Sequence, residues 1–365
     1  MTVPPSTGRL TIAVDAMGGD HGPACVVAAL EKAARDGDEA RFLLHGPEAE
    51  LEPLLARRRA LSERVEVVDA PRVVSMDDKP SAAVRTAEGT SMWAALSSVA
   101  TGAAQAAVSC GNTGALMVMA MLRLRKAEGV DRPAIAVFWP SRARAGFSIA
   151  LDMGADLKAD PTNLAQYAVM GAEYARVGLD LARPRVGLLN VGVEEMKGRA
   201  ELRAARDLIA AAATPGDFDW RGFVEGGDLF GDSVDVIVTD GFTGNVALKT
   251  AEGAAAFIGD QMRAAFRHSL LSRLAAVAAM GTFSRLKKRI DPRRVNGGVF
   301  LGLNGVVVKS HGGADATGVA AAIRLATRMG RTGFAERVAQ RVALLATDGA
   351  VSTAAAEPER KALAQ

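Results

Sequence analysis

Leu10-Thr-Ile-Ala-Val14 is followed by Asp15-Ala-Met-Gly-Gly-Asp-His-Gly22 and then by Pro23-Ala-Cys-Val-Val-Ala-Ala-Leu-Glu-Lys-Ala-Ala-Arg35. The first piece is a short apolar run of strand length. The second is a turn rich in glycine, and the third is a helical pattern with proline at its start, where no backbone N–H is needed. The order strand, Gly-rich loop, helix is one unit of an α/β fold. Working outward, similar apolar runs lie at Arg41 to His45, Val65 to Val68, Ala106 to Ser109, Ala134 to Phe138 and Phe147 to Leu151. The second half adds Arg185 to Leu189, Val234 to Thr239 and Val306 to Lys309.

Helical patterns separate these runs at Pro23 to Arg35, Ser81 to Ala100 and Thr113 to Lys126, and from about Leu164, Glu194, Asn245 and Asp315. The alternation predicts a three-layer αβα, Rossmann-like, mostly parallel sheet. It places a helical excursion between about residues 250 and 295. No Pro/Ser-rich linker interrupts the chain, so residues 10–346 read as one catalytic domain, with a split near Asp152 as the alternative. Residues 1–9 read as a flexible tail and 347–365 as a mobile one.

Of the 365 residues, 49% are hydrophobic but only 5% aromatic, so the core is expected to be built from Ala, Val, Leu and Ile. That composition suits a buried parallel sheet. Lys plus Arg exceed Asp plus Glu by 44 to 41, a net charge of +3 that by itself gives no case for nucleic acid. Cys25 and Cys110 belong to no Cys/His ligand cluster, so reduced cytoplasmic thiols and no structural metal are expected. Met1 to Gly8 is polar, without a basic stretch followed by an apolar one, so export is not expected. No apolar run reaches the roughly 18 residues of a spanning helix, so any membrane contact is expected to be peripheral.

Four loops combine Gly with Asn, Thr, Asp or His at strand ends: Asp15 to Pro23, Ser109 to Gly114, Asp240 to Asn245 and Ser310 to Asp315. In a parallel sheet such loops gather at the carboxyl edge, where helix N-termini favour an anion. One such loop alone is what any α/β fold requires; four together point to a phosphate. Neither GxGxxG nor GxxxxGK[ST] follows any of the strands, which speaks against a dinucleotide or P-loop nucleotide site. Lys197, in the stretch Leu188 to Gly198, could reach a phosphate at the same edge, although a lysine near Glu194 also suits a solvated helix face. Asp152 and Asp156 close another strand-end cluster and are expected to act one layer away from the ligand.

Four phrases carry a resemblance: Ile12-Ala-Val-Asp-Ala-Met-Gly-Gly-Asp-His21, Ser109-Cys-Gly-Asn-Thr-Gly-Ala-Leu116, Val238-Thr-Asp-Gly-Phe-Thr-Gly-Asn245 and Val307-Val-Lys-Ser-His-Gly312. In this order over roughly residues 10 to 330 the chain resembles the bacterial phosphate acyltransferases of phospholipid synthesis, the PlsX family. The resemblance implies reversible conversion of acyl carrier protein thioester plus inorganic phosphate to acyl phosphate plus free carrier protein, with no metal or nucleotide cofactor. It also implies a fold similar to the phosphate acetyltransferase and isopropylmalate dehydrogenase group, a homodimer, and a product handed to a membrane glycerol-phosphate acyltransferase. Three positions depart from the usual wording. Asp156 stands where Asn is common, Asn296-Gly-Gly-Val-Phe300 replaces a Tyr-Gly-Gly-Ala-Pro-like phrase, and Cys110 stands where Ala is common.

Phosphate is itself a nucleophile, so positioning and charge shielding matter more than a strong base. Lys197 is expected to balance phosphate charge. Asn245 and the Gly111, Asn112, Thr113, Gly114 loop are expected to bind phosphate or the oxyanion, helped by Gly18, Gly19, Thr243 and Gly244. Asp240, His21 and His311 are secondary candidates, either histidine serving to protonate the departing thiolate. Arg267, Leu270, Leu271, Arg273 and Leu274 mix basic and apolar side chains at nearly helical spacing, which suits an acidic carrier protein, an anionic lipid surface or a dimer interface. A break at Ser269 would divide the segment into two helices. The competing readings are a phosphotransacylase that uses acyl-CoA and, outside enzymes, a membrane-associated scaffold for lipid synthesis.

Overall fold

A computed structural model describes residues 9–290 and 297–347; residues 1–8 and 348–365 of the expected tails and the Asn296 position lie outside the described residues, while residue 347 closes a helix. Eleven strands form one sheet: β1 Thr11–Asp15, β2 Arg41–Gly46, β3 Val65–Asp69, β4 Ala106–Ser109, β5 Ala134–Pro140, β6 Phe147–Leu151, β7 Arg185–Leu189, β8 Asp219–Val224, β9 Val236–Val238, β10 Gly298–Leu301 and β11 Val306–Lys309. The helices are α1 Gly22–Arg35, α2 Glu48–Leu55, α3 Pro80–Arg85, α4 Ser91–Ala100, α5 Thr113–Leu124, α6 Pro161–Leu179, α7 Ala200–Ala212, α8 Gly241–Arg267, α9 Leu270–Ile290, α10 Ala316–Arg331 and α11 Phe334–Thr347.

Strand order is β3-β2-β1-β4-β11-β10-β5-β6-β9-β7-β8. Strands β3, β2, β1, β4 and β11 run parallel. Strand β10 pairs antiparallel with both β11 and β5, and β5 antiparallel with β6. Strands β6, β9, β7 and β8 are again mutually parallel. Three reversals between β11 and β6 therefore make the second parallel block run opposite to the first. This corrects the expectation that all the Gly-rich loops share one carboxyl edge. The loops after β1, β4 and β11 belong to one edge, and those after β6, β9 and β7 to the other. At the usual twist of about 20–25° per strand, the five steps from β4 to β9 would turn the strand direction by roughly 100–125°, so the two edges need not lie at opposite ends of the molecule.

Side chains alternate across the sheet as period two requires. On β1, Ile12 and Val14 enter the large core under α1, α6, α7, α10 and α11, whereas Ala13 enters the core under α3, α4 and α5. A third core of Ala150, Ile237, Leu189 and Trp139 lies beneath Ala247, Leu248 and Ala251 of α8. Ion pairing supplements apolar burial at several buried carboxylates, Glu173 the most enclosed of them. Glu173 on α6, 1% exposed, receives Arg176 at 2.8 Å and Arg337 of α11 at 2.6 Å.

Two helix expectations change. The run from Ser81 to Ala100 breaks into α3 and α4 because Gly89 adopts φ +78° and Thr90 caps the second helix through its side chain. The helix expected from Glu194 begins at Ala200, and residues 190–199 form a loop. The expected excursion is the pair α8 and α9, divided between Arg267 and Leu270. No described helix is long and apolar enough to cross a membrane.

Candidate active site

The first loop set is locked by buried polar groups. Ser109 Oγ donates to Asp15 Oδ2 at 2.7 Å and receives the Gly111 N–H at 3.0 Å. Burial pushes the Asp15 carboxyl above the ordinary carboxylate range, opposed by the hydrogen bonds from Ser109 and Ser91. Lys309, also buried, points its ammonium at the carbonyls of Ser310 and Cys110, tying the β11 loop to the β4 loop. Its pKa is lowered by burial, partly offset by Cys110 and Asp15. The β1 loop closes the set: Asp20 N–H donates to Gly312 O at 2.9 Å, and a Cβ on Gly18 would lie 2.5 Å from Gly111 N.

Helix starts differ in what they leave open. At α5, Asn112 Oδ1 accepts the Ala115 N–H, while the Thr113 and Gly114 amides have no hydrogen-bond partner among the described residues. Asn112 itself is used up: its Nδ2 donates to Met76 O and Asp78 O, both at 2.9 Å. It holds the loop and is not free to donate to an oxyanion. At α1, His21 sits at the cap without a side-chain cap bond, leaving the helix start unshielded. At α8, three of the first four amides are taken, Gly241 by Asp156 O, Thr243 by Asp240 Oδ1 and Gly244 by Asp240 O. Asp315 takes two at α10. The anion-favouring backbone is therefore at α5 and α1, and the amides of Thr243 and Gly244 are already engaged.

In the second loop set, Asp152 is fully buried and accepts from Ile135, Ala155 and Asp156 amides at 2.6 to 3.1 Å. Burial raises its pKa despite these bonds. Asp156 accepts from Tyr167 Oη at 3.1 Å and from Asn163. Asp240 caps α8, binds Thr243 Oγ1 at 3.0 Å, and takes the Arg199 guanidinium at 2.8 Å. It is thus tied up in capping α8, and Arg199 is a partner of it that the sequence reading did not name. Its signal was weak, an arginine just past the Lys197-Gly198 pair.

Lys197 is held by backbone, since Asn190 Nδ2 donates to Lys197 O at 3.1 Å and Gly192 O at 3.0 Å. Its exposed ammonium pairs with Glu194 at 3.0 Å and not with any residue of the 109–114 or 240–245 loops. Asn245 is exposed on the first turns of α8, facing Gly154 of the β6 loop. His311 Nδ1 receives the Gly313 N–H at 3.2 Å. Thus the structure joins Gly18, Gly19 and Gly111 with His311's loop, and Asp240 with Thr243 and Arg199. It brings neither Lys197 nor Asn245 into bonding distance of the α5 start.

Beside the β11 loop of the first set lies a cleft of about 970 Å³. One wall is α8 from Ala247 to Ile258; the other is Trp139, Leu229 and Phe230, and His311 and Gly313 close it. Its first α8 residue, Ala247, follows Asn245 by two positions, and its loop residues flank Gly312, which Asp20 touches. The cleft therefore adjoins the β11 loop of the first set, and its α8 wall begins two residues past Asn245. Arg267, Leu271, Arg273 and Leu274 lie beyond it at the α8–α9 junction, where Leu271 is 80% and Leu274 68% exposed. The Leu270 side chain lies outside the described residues, as do those of Arg285, Lys287, Lys288 and Arg289.

A continuous, internally reversed αβα sheet with Gly-rich strand-end loops leading into helices defines the class: the fold is that of the phosphotransacetylases. The chain is similar to a phosphotransacetylase from Streptococcus pyogenes with a TM-score of 0.59, at 17% identity and covering 88% of this chain and 94% of that one. It is similar to EutD phosphotransacetylase from Staphylococcus aureus with a TM-score of 0.58, at 14% identity and the same coverage. Within that class the family follows from sequence. Residues 10–337 match the model of the fatty acid synthesis protein family, and the chain belongs to it. Relatives named phosphate acyltransferase include one from Cereibacter sphaeroides strain KD131, 63% identical over 336 residues, 92% of this chain and 91% of that one. Another, from Ruegeria sp. strain TM1040, is 61% identical over 353 residues, 96% and 94% of the two chains. The protein is an acyltransferase of lipid synthesis.

Proposed function

We propose that the enzyme transfers a long-chain acyl group from an acyl carrier protein thioester to inorganic phosphate, releasing acyl phosphate and free carrier protein. One observation carries this reading: the uncovered amides at the start of α5 belong to the same loop assembly that closes a large apolar cleft. Phosphate suits the former and an acyl chain the latter. A phosphate oxygen attacks the thioester carbonyl, giving a tetrahedral oxyanion. Its collapse breaks the C–S bond, and the thiolate takes a proton to leave as the carrier protein's thiol.

In this reading the Thr113 and Gly114 amides hold phosphate, and Asn245, exposed beside the cleft, donates to the oxyanion. Losing one such donor costs about 3 kcal/mol, 100-fold or more in rate. Lys197 leaves Glu194 to shield phosphate charge, a modest exchange because both groups are solvated. His21 and His311 stand on loops of the first set and supply the proton for the thiolate. The exposed apolar residues of α9, among them Leu271, Leu274 and Val277, with Arg267 and Arg273, offer a face for a second copy of the chain, for carrier protein or for anionic lipid at the cytoplasmic membrane surface.

The test is to mix the protein with hexadecanoyl carrier protein, with and without phosphate, and to measure free thiol and acyl phosphate. Phosphate-dependent release that falls at least 100-fold in Asn245→Ala and at least 10-fold in Lys197→Ala is expected. Release independent of phosphate overturns the reading, and equal use of acyl-CoA overturns the carrier-protein donor.

A further inference from the structure

We infer that the transferred acyl chain lies in the cleft along α8, and that the small side chains of Ala251, Ala254 and Ala255 set how long a chain it accepts. This rests on the acyl-transfer reading above and specifies where its substrate binds. The space exists because of residue size. Positions 247, 251, 254 and 258 follow one helical stripe, and three of the four are alanine. A bulkier residue at 251 or 255 would project into the volume that faces Trp139 and Phe230. The aromatic pair, 5.5 Å between ring centres, forms the opposite wall. Trp139 is itself 2% exposed, so the wall is backed by core.

The chemistry of the lining selects the occupant. Apart from Thr250, Glu252 and His311, the side chains are hydrocarbon or aromatic. At about 970 Å³ the cleft sits at the upper end of the range for ligand pockets. An acetyl group would leave nearly all of this apolar surface wet. A long chain would cover it, and each buried methylene strengthens binding about fourfold. His311 and Gly313 at the cleft's end belong to the loop that Asp20 fastens through Gly312 O and that Lys309 ties to the β4 loop, so the thioester end of the chain would lie toward the loop set assigned to phosphate.

Two measurements on the full chain decide it. In the first, kcat/KM with hexadecanoyl and octanoyl carrier protein is compared between the wild type and Ala251→Phe, with Ala255→Phe as the second variant. The expected result is a fall of at least tenfold for the sixteen-carbon chain and less than threefold for the eight-carbon chain. Equal falls on both chains, or no fall on either in both variants, overturn the assignment.

The second measurement does not depend on turnover. With Trp93→Phe and Trp220→Phe in place, Trp139 is the remaining tryptophan, and 9,10-dibromostearate should quench its emission saturably. Ala251→Phe should weaken that binding at least tenfold. Absence of quenching overturns the proposal. So does quenching weakened by Ala251→Phe without any loss on the sixteen-carbon substrate, because the cleft would then hold a lipid other than the reacting chain. If phosphate-dependent turnover itself is missing while quenching behaves as expected, acyl transfer to phosphate fails and the chain-binding cleft stands.

Discussion

Gly18→Ala is the sharpest perturbation of the first loop set, because the conflict is between backbones. The new Cβ would lie 2.5 Å from Gly111 N and 3.0 Å from Gly111 Cα. Ordinary contact begins near 3.4 Å, so one loop must move by about 3.4 − 2.5 = 0.9 Å. Neither loop can yield alone. Gly111 is tied through Ser109 to the buried Asp15, and Asp15 Oδ2 would itself be 2.9 Å from the new methyl group. Overpacking of this kind costs about 1–3 kcal/mol of stability. The displaced segment leads directly into the Thr113 and Gly114 amides, and a misplacement near 1 Å costs about 100-fold in rate. Urea denaturation should therefore show destabilisation within that range, and kcat/KM for phosphate-dependent release should drop about 100-fold. A Gly18→Ala protein within 0.5 kcal/mol of wild type and within twofold in kcat/KM would refute the interlock and the phosphate assignment built on it.

Asp240→Ala removes the α8 cap and the Arg199 contact, whose guanidinium is largely solvated, so a loss of about 1–2 kcal/mol is expected in urea. Asp240→Asn should retain most of the cap and lose less than half as much; equal losses would contradict the capping role. Cys110 is buried, and desolvation pushes its thiol up to about 11, so iodoacetamide at pH 8 should leave it unmodified and Cys110→Ala should keep activity within twofold. Mass spectrometry and the release assay check this. His45 is buried beside Ser98, and desolvation lowers its pKa from 6.5 to about 4. Its folded form resists the proton that the unfolded chain accepts, so stability is complete above pH 6.5 and falls as pH drops toward 4. The loss is about 2 kcal/mol at pH 5, and His45→Gln should flatten that part of a urea-midpoint profile.

Most strands could be read from sequence because their residues are buried on both faces, which leaves short unbroken apolar runs such as Ala106–Ser109. Strand β8 escaped because it is an edge strand with Asp219, Arg221 and Gly222 among its six residues. Strand β10 escaped because it has four residues in a Gly-rich stretch. Strand sense was not legible at all: a buried run looks the same in either direction, and the reversal depends on β10 pairing with partners over 150 residues away on β5. Of the site, the loops that carry Gly18, Gly111 and His311 were legible through their glycines. The consumption of Asn112 and of the α8 amides was not, because it depends on atoms brought in by Met76, Asp78 and Asp156. The cleft was hidden for a related reason. Its walls come from four separate segments, and alanines at 251, 254 and 255 read as ordinary helix formers until Trp139 and Phe230 stand opposite them.

The strand order also fixes a schedule for synthesis. The middle of the sheet, between β4 and β5, is filled by β11 and β10, whose residues emerge from the ribosome 189 to 200 positions after Ser109. Until then β4 and β5 each have an unpaired edge, and the nascent chain carries two half-sheets that cannot join. Open edges of this kind pair readily with other chains. The last strands made are thus the ones that seal the molecule, and a chaperone that shields β4 and β5 during those residues should raise the yield of folded protein more than one that acts after release.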